Sequence, residues 1–171
     1  AKLISHLAQK NNPKSAIDIC CGTGNILYYL QNELDDLTGV EITENVAALT
    51  NYFIPDLHII TADSFHYPFS RKYDLVVGNI PFGMRIEMHG KRIPGEEAFL
   101  RKAYELLTEN GRAIMLVPYS VLLVVLFQIF KFEIHSFAPC LCDQSFFPSP
   151  AHTAVIQSAL SAGSAARSDT S

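Results

Sequence analysis

A few residues in this chain have types and spacings that could do chemistry. Asp18 stands just ahead of a Gly22-Thr23-Gly24 turn. Glu41 follows by about 20 residues, the interval at which an acid grips a ribose diol after a glycine-rich turn. Asp63 comes next, then Asn79-Ile80-Pro81-Phe82. An amide and an aromatic beside a rigid proline can hold and stack a flat, amino-bearing group. The glycines let backbone approach a ligand closely. Leu27 stands where a third glycine of the dinucleotide pattern belongs, and no Lys-Ser/Thr pair follows the turn. The loop therefore suits a nucleoside whose 5′ side is not a phosphate chain. Each residue alone has a plainer reading: turn glycines, a solvated carboxylate, a turn-forming Asp, an ordinary Asn-Pro turn. Their order, each at the end of an expected strand, favours a site.

The elements that must position these residues follow from periodicity. Leu75, Val76 and Val77 form a short β-branched run, as in a parallel strand buried on both faces. Comparable strands are expected over 15–20, 37–42, 57–61, 73–78 and 112–117. Helices are expected from Lys2 to Gln9, from Ile26 to Asp35 and after an N-cap at Thr43. In that third helix Val46, Ala47, Leu49 and Phe53 form the apolar face. A further helix opens at Pro94-Gly95-Glu96-Glu97 and runs to the stop signal Asn110-Gly111. Residues 83–94 read as a loop. Beyond Pro118, a helix is expected over 119–130, then strands over 131–137 and 151–159 with no helix between them.

Alternating strands and helices imply an α/β, Rossmann-like, doubly wound and mostly parallel seven-stranded sheet. The last two strands should form an antiparallel C-terminal hairpin. Residues 1–160 are expected to form one catalytic domain, and 161–171 a disordered tail. In such a sheet the carboxyl ends of the strands hold the ligand.

The chain has 171 residues, enough for one substantial core. A net charge of −4 argues against a strongly basic, nonspecific nucleic-acid binder, though not against a local basic patch. Cys20, Cys21, Cys140 and Cys142 lack zinc-site spacing and read as reduced thiols, so no metal and a cytoplasmic location are expected. No signal-peptide pattern opens the chain. The apolar stretch 113–130 contains Pro118, Tyr119, Ser120 and Gln128 and reads as strand plus helix rather than as a membrane span.

With these residues in place, the chain resembles class I S-adenosylmethionine-dependent methyltransferases over residues 2–160. Within them it is similar to the adenine-specific N-methyltransferases of DNA, including the modification subunits of restriction systems. Asp18-Ile19-Cys20-Cys21-Gly22-Thr23-Gly24-Asn25 resembles their cofactor loop, and Asn79-Ile80-Pro81-Phe82 their Asn-Pro-Pro-Phe/Tyr motif. Gly111–Pro118 and Ser145-Phe146-Phe147-Pro148 add to the likeness. The resemblance implies S-adenosyl-L-methionine held by Asp18, Cys20, Gly22, Gly24, Glu41, Ile42, Asp63, Ser64 and Asn79. Glu41 would take the ribose hydroxyls and Asp63 the adenine amino group of the cofactor, with Ile42 and Ser64 flanking that ring. Asn79, Ile80, Pro81 and Phe82 would be catalytic.

Ile80 stands where DNA-type enzymes usually carry the first proline. Asn-Ile-Pro-Phe also resembles ribosomal RNA adenine dimethylases, although Cys-Gly-Thr-Gly favours the DNA group. The resemblance further implies a segment ahead of the first helix that this chain does not carry, and the opening at Ala1 rather than at a methionine is that expected of a processed or excised part of something longer. Recognition of DNA, the expected partner, falls to Arg85, His89, Lys91 and Arg92, to a specificity subunit, or to a recognition domain outside this chain. The alternatives are methylation of RNA adenine, methylation of a protein glutamine, or a cofactor-binding subunit without catalysis.

Overall fold

Leu75, Val76 and Val77 are fully buried at the centre of a six-stranded sheet. Alternate side chains of their strand serve opposite faces, as the period of two requires. Leu75 and Val77 join Leu27, Leu30 and Ile114 in one core, while Val76 joins Phe99, Ala103 and Met115 in the other. Both faces are therefore covered, which is why the strand reads as continuously apolar.

The computed structural model describes residues 1–8, 12–88, 90–118 and 153–159. In chain order the elements are α1 (Lys2–Ala8), β1 (Ser15–Asp18), α2 (Asn25–Leu30), β2 (Asp36–Glu41), α3 (Glu44–Phe53), β3 (His58–Thr61) and β4 (Tyr73–Asn79). Then follow β5 (Arg85–Met88), β6 (Lys91–Pro94), α4 (Gly95–Glu105), β7 (Leu107–Pro118) and β8 (Thr153–Ala159). The sheet order is β3-β2-β1-β4-β7-β8, with β8 alone antiparallel, against β7. The expected doubly wound architecture is present. The helix over 119–130, the strand over 131–137, the loop carrying Cys140, Cys142 and Ser145–Pro148, and the tail 161–171 lie outside the described residues. No helix among the described residues is long and apolar enough to cross a membrane.

Three expectations are corrected. Residues 83–94 are not a loop but the antiparallel hairpin β5–β6, with Gly90 at a positive φ of 74° in its turn. Arg85-Ile86-Glu87-Met88 alternates exposed and half-buried, a strand period too short to stand out in the sequence. The apolar face of α3 is also shifted. Leu49 and Phe53 are exposed, while Ala47 and Thr50 are buried. The helix turns its small side chains inward because it packs closely on the Gly22–Gly24 turn. Thr43 occupies the N-cap position without a side-chain capping bond. Finally, α4 ends at Glu105, before Asn110-Gly111, because Tyr73 N–H donates to the Leu106 carbonyl at 2.8 Å and Leu107 already pairs with Tyr73.

Arg112, buried in β7, donates through Nη2 to the Ala8 carbonyl at 3.0 Å. A cation at the C-terminal end of a helix complements the dipole there, and this bond ties α1 to the sheet.

Candidate active site

The parallel register brings the expected residues to one edge. Asp18 lies opposite Gly39 on β2 and Val77 on β4. Glu41 and Asn79 therefore both stand two residues past Asp18, at the carboxyl end of the sheet. Thr61, opposite Glu41, places Asp63 just beyond the same edge. A cleft of about 1000 Å³ opens there. Cys20, Glu41, Ile42, Asp63 and Ser64 line one part of it, and Asn79, Ile80, Pro81 and Phe82 another.

Glu41 and Asp63 are both oriented by backbone. Glu41 accepts the Gly22 N–H at 3.0 Å through Oε2 and the Thr43 N–H at 2.8 Å through Oε1. A carboxylate oxygen has two lone-pair sites, so both oxygens keep capacity for a ligand diol. Ile42, 67% exposed beside it, offers an apolar plate. Asp63 Oδ1 accepts the Phe65 N–H at 2.8 Å, and Oδ2 lies 2.7 Å from His66 Nδ1. Ser64 is buried, and its hydroxyl donates to the Ile19 carbonyl, tying the loop after β3 to the end of β1.

Asp18, Gly22 and Gly24, expected to touch the cofactor, do not line the cleft. Asp18 is 1% exposed and turns its Oδ1 to the Cys20 N–H at 3.1 Å, so it shapes the loop from below. Burial pushes its carboxyl up to about 7, aided by the Glu41 charge and opposed by the Cys20 bond. Burial, reinforced by the Asp18 charge, also raises the Cys20 and Cys21 thiols well above their ordinary range. Both therefore stay protonated and un-nucleophilic at neutral pH.

The glycine turn is held from behind by Thr50, whose hydroxyl donates to the Gly22 carbonyl at 2.6 Å. Gly24 has φ +78°, and a Cβ there would lie 2.7 Å from Thr50 Cγ2 and 2.9 Å from Ile54 Cδ1. Gly24→Ala is thus expected to cost roughly 1–3 kcal/mol through backbone strain and overpacking. Urea denaturation would measure it, and no loss would show that the turn relaxes freely.

Three contributors escaped the sequence reading: His66 on Asp63, Thr50 behind the turn, and Glu96 beneath the loop after Phe82. Thr50 had a signal, since Ala47, Thr50 and Ile54 share a helical face. The other two depend on contacts that spacing does not reveal.

The site is thus an open cleft with one wall carrying the Glu41 and Asp63 carboxylates and another carrying the Asn79 amide, set on the carboxyl edge of a doubly wound sheet. The methyltransferase-domain family matches residues 16–111, and the chain belongs to it. No curated protein sequence matches the chain. Solved structures share the fold at low identity. A Listeria monocytogenes protein assigned to the class I S-adenosylmethionine-dependent methyltransferases superposes with a TM-score of 0.61 at 17% identity, covering 71% of this chain and 45% of its own. The plantazolicin methyltransferase BpumL, solved with a pentazolic desmethylPZN analogue and S-adenosylhomocysteine, gives 0.53 at 20% identity, covering 75% and 48%. The sugar N-methyltransferase KedS8 from Streptoalloteichus gives 0.51 at 19% identity, covering 67% and 45%. The chain spans about half the length of these structures.

Proposed function

We propose that this domain binds S-adenosylmethionine and transfers its methyl group to the exocyclic amino group of adenine, in DNA. The observation that carries this reading is the placement of Asn79-Ile80-Pro81-Phe82 in the same cleft as Glu41 and Asp63. Family membership and neighbours solved with S-adenosylhomocysteine support the cofactor. Glu41 holds the ribose diol. Asp63 accepts from the adenine amino group of the cofactor, with Ile42 against the ring. Cys20, Ser64 and the Asp18–Gly24 turn complete the pocket, the last through its backbone.

When bound, the cofactor supplies a sulfonium methyl that is already activated, so the protein must mainly orient a weak nucleophile. An adenine amino nitrogen is weak because its lone pair is delocalised into the ring. Asn79 is exposed at the end of β4, and its side chain makes no hydrogen bond among the described residues. Its oxygen and the Ile80 carbonyl accept the two amino hydrogens. That favours a pyramidal nitrogen and stabilises the charge that develops on it. Ile80 is itself 2% exposed, so its side chain anchors the carbonyl in the core. Phe82, 48% exposed, offers a stacking face for a base flipped out of a duplex. Arg85, Lys91 and Arg92 are exposed on the adjoining hairpin, where they can meet phosphates.

Transfer of isotopically labelled methyl to DNA, RNA and protein pools tests the reading. Label in DNA adenine is the expected result; label only in RNA or protein would replace the acceptor. Cofactor binding with no acceptor labelled would leave a non-catalytic subunit. Glu41→Ala should weaken S-adenosylmethionine binding by roughly 10–100-fold, the usual weight of hydrogen bonds to a charged group. Calorimetry would show it, and unchanged affinity would remove Glu41 from the site.

A further inference from the structure

The loop that presents Asn79 and Phe82 is held at both ends. At its start, β4 pairs with β7 up to Asn79, which lies opposite Leu116. At its end stands Gly83, at φ +74°. Its N–H donates to Glu96 Oε1 at 2.8 Å. Glu96 is only 7% exposed, although it sits in the first turn of an otherwise amphipathic helix. The neighbouring Gly95 N–H donates to the Met84 carbonyl at 2.8 Å. A Cβ on Gly95 would lie 2.4 Å from Met84 Cγ, so helix and loop are in close contact here. Glu97, one residue on, faces elsewhere and pairs with Arg101 at 2.8 Å. The N-terminal end of a helix favours a carboxylate, yet of these two acids only Glu96 is turned inward onto the loop.

We infer that Glu96 is a positioning residue: by clamping the Gly83 amide it fixes the Asn79–Gly83 loop and the presentation of the Phe82 ring toward the acceptor. The consequence for catalysis rests on the reading of Asn79–Phe82 as the acceptor site; the clamp itself does not. A loop free to swing would misplace the acceptor relative to the methyl donor, and small misplacements are costly in an in-line transfer.

The test uses the full chain and compares Glu96→Ala, Glu96→Gln and the control Glu97→Ala. Hydrogen exchange of the Gly83 amide, followed by NMR, reads the clamp without substrate. Single-turnover methyl transfer to an adenine-containing duplex, with cofactor affinity measured in parallel, reads its consequence. Glu96→Ala should speed Gly83 exchange by about tenfold or more and slow transfer by about tenfold, with cofactor affinity unchanged. Glu96→Gln keeps an acceptor oxygen and should restore both, and Glu97→Ala should match the wild type in both. If Glu96→Ala does not fold, Glu96→Asp draws the carboxylate back by one methylene and should show the same faster exchange. Unchanged Gly83 exchange would overturn the clamp. Faster exchange with undiminished transfer would overturn the positioning role. A wild type that transfers no methyl to DNA would defeat the acceptor reading, while Gly83 exchange would still decide the clamp.

Discussion

Asn79→Ala is expected to lower methyl transfer by about 10²–10³-fold while leaving S-adenosylmethionine affinity nearly intact. The size follows from removing one preorganised polar contact aimed at developing charge. The split follows from geometry. Glu41 and Asp63, which hold the cofactor in this reading, are oriented by Gly22, Thr43 and Phe65, not by Asn79. The substitution should also cost little stability, because Asn79 is exposed and its backbone pairing with Leu116 does not need the amide. Burst kinetics with calorimetry would separate the two quantities. Transfer that persisted at the wild-type rate would remove Asn79 from the chemistry. Loss of cofactor affinity in step with rate would make it a cofactor residue instead.

The sheet was legible where strands are buried on both faces. Ala16-Ile17 and Leu75-Val76-Val77 have no polar alternation to confuse them, and turn residues bound each run. The acids were legible because strand ends in a parallel sheet share one edge. Register then does the rest, since Glu41 and Asn79 must stand at one level if β1 separates them. Legibility failed where a long-range contact sets local structure. The face of α3 is chosen by Thr50, a polar residue made part of the core by its bond to the Gly22 carbonyl. An apolar count therefore selected Leu49 and Phe53, which remain in solvent. The β5–β6 hairpin is only four residues a side, and its pattern is diluted by Arg85, Glu87, Lys91 and Arg92. Asp18 ends β1 as its place before the glycine turn implies, but the direction of its side chain is not readable from spacing. In a strand its side-chain direction depends on where the sheet edge falls, and here the Cys20 amide captures it.

That buried carboxyl leads to the second large expected effect. Asp18 is raised from 3.8 to about 7 in the folded chain, chiefly by burial. Between those two values the unfolded chain has released the proton while the folded chain still holds it. Stability therefore falls as pH rises from about 4 to about 7 and is flat with respect to this group above that range. Asp18→Asn is uncharged at every pH and can still accept the Cys20 N–H through its amide oxygen, so it should lose this slope. Relative to wild type, the variant should gain on the order of a few kcal/mol between pH 4 and pH 8. Urea denaturation of both proteins at the two pH values isolates the difference, since titrating groups that do not interact with Asp18 cancel. An equal pH dependence in the two proteins would show that Asp18 ionises freely. On the proposed reading the same residue also couples stability to cofactor binding. An acid held near neutrality beneath Cys20 is ionised more readily when a positive charge is bound above it. S-adenosylmethionine carries a sulfonium and an ammonium, so its affinity for the wild type should rise between pH 6 and pH 8. Asp18→Asn should remove the part of that rise that comes from Asp18.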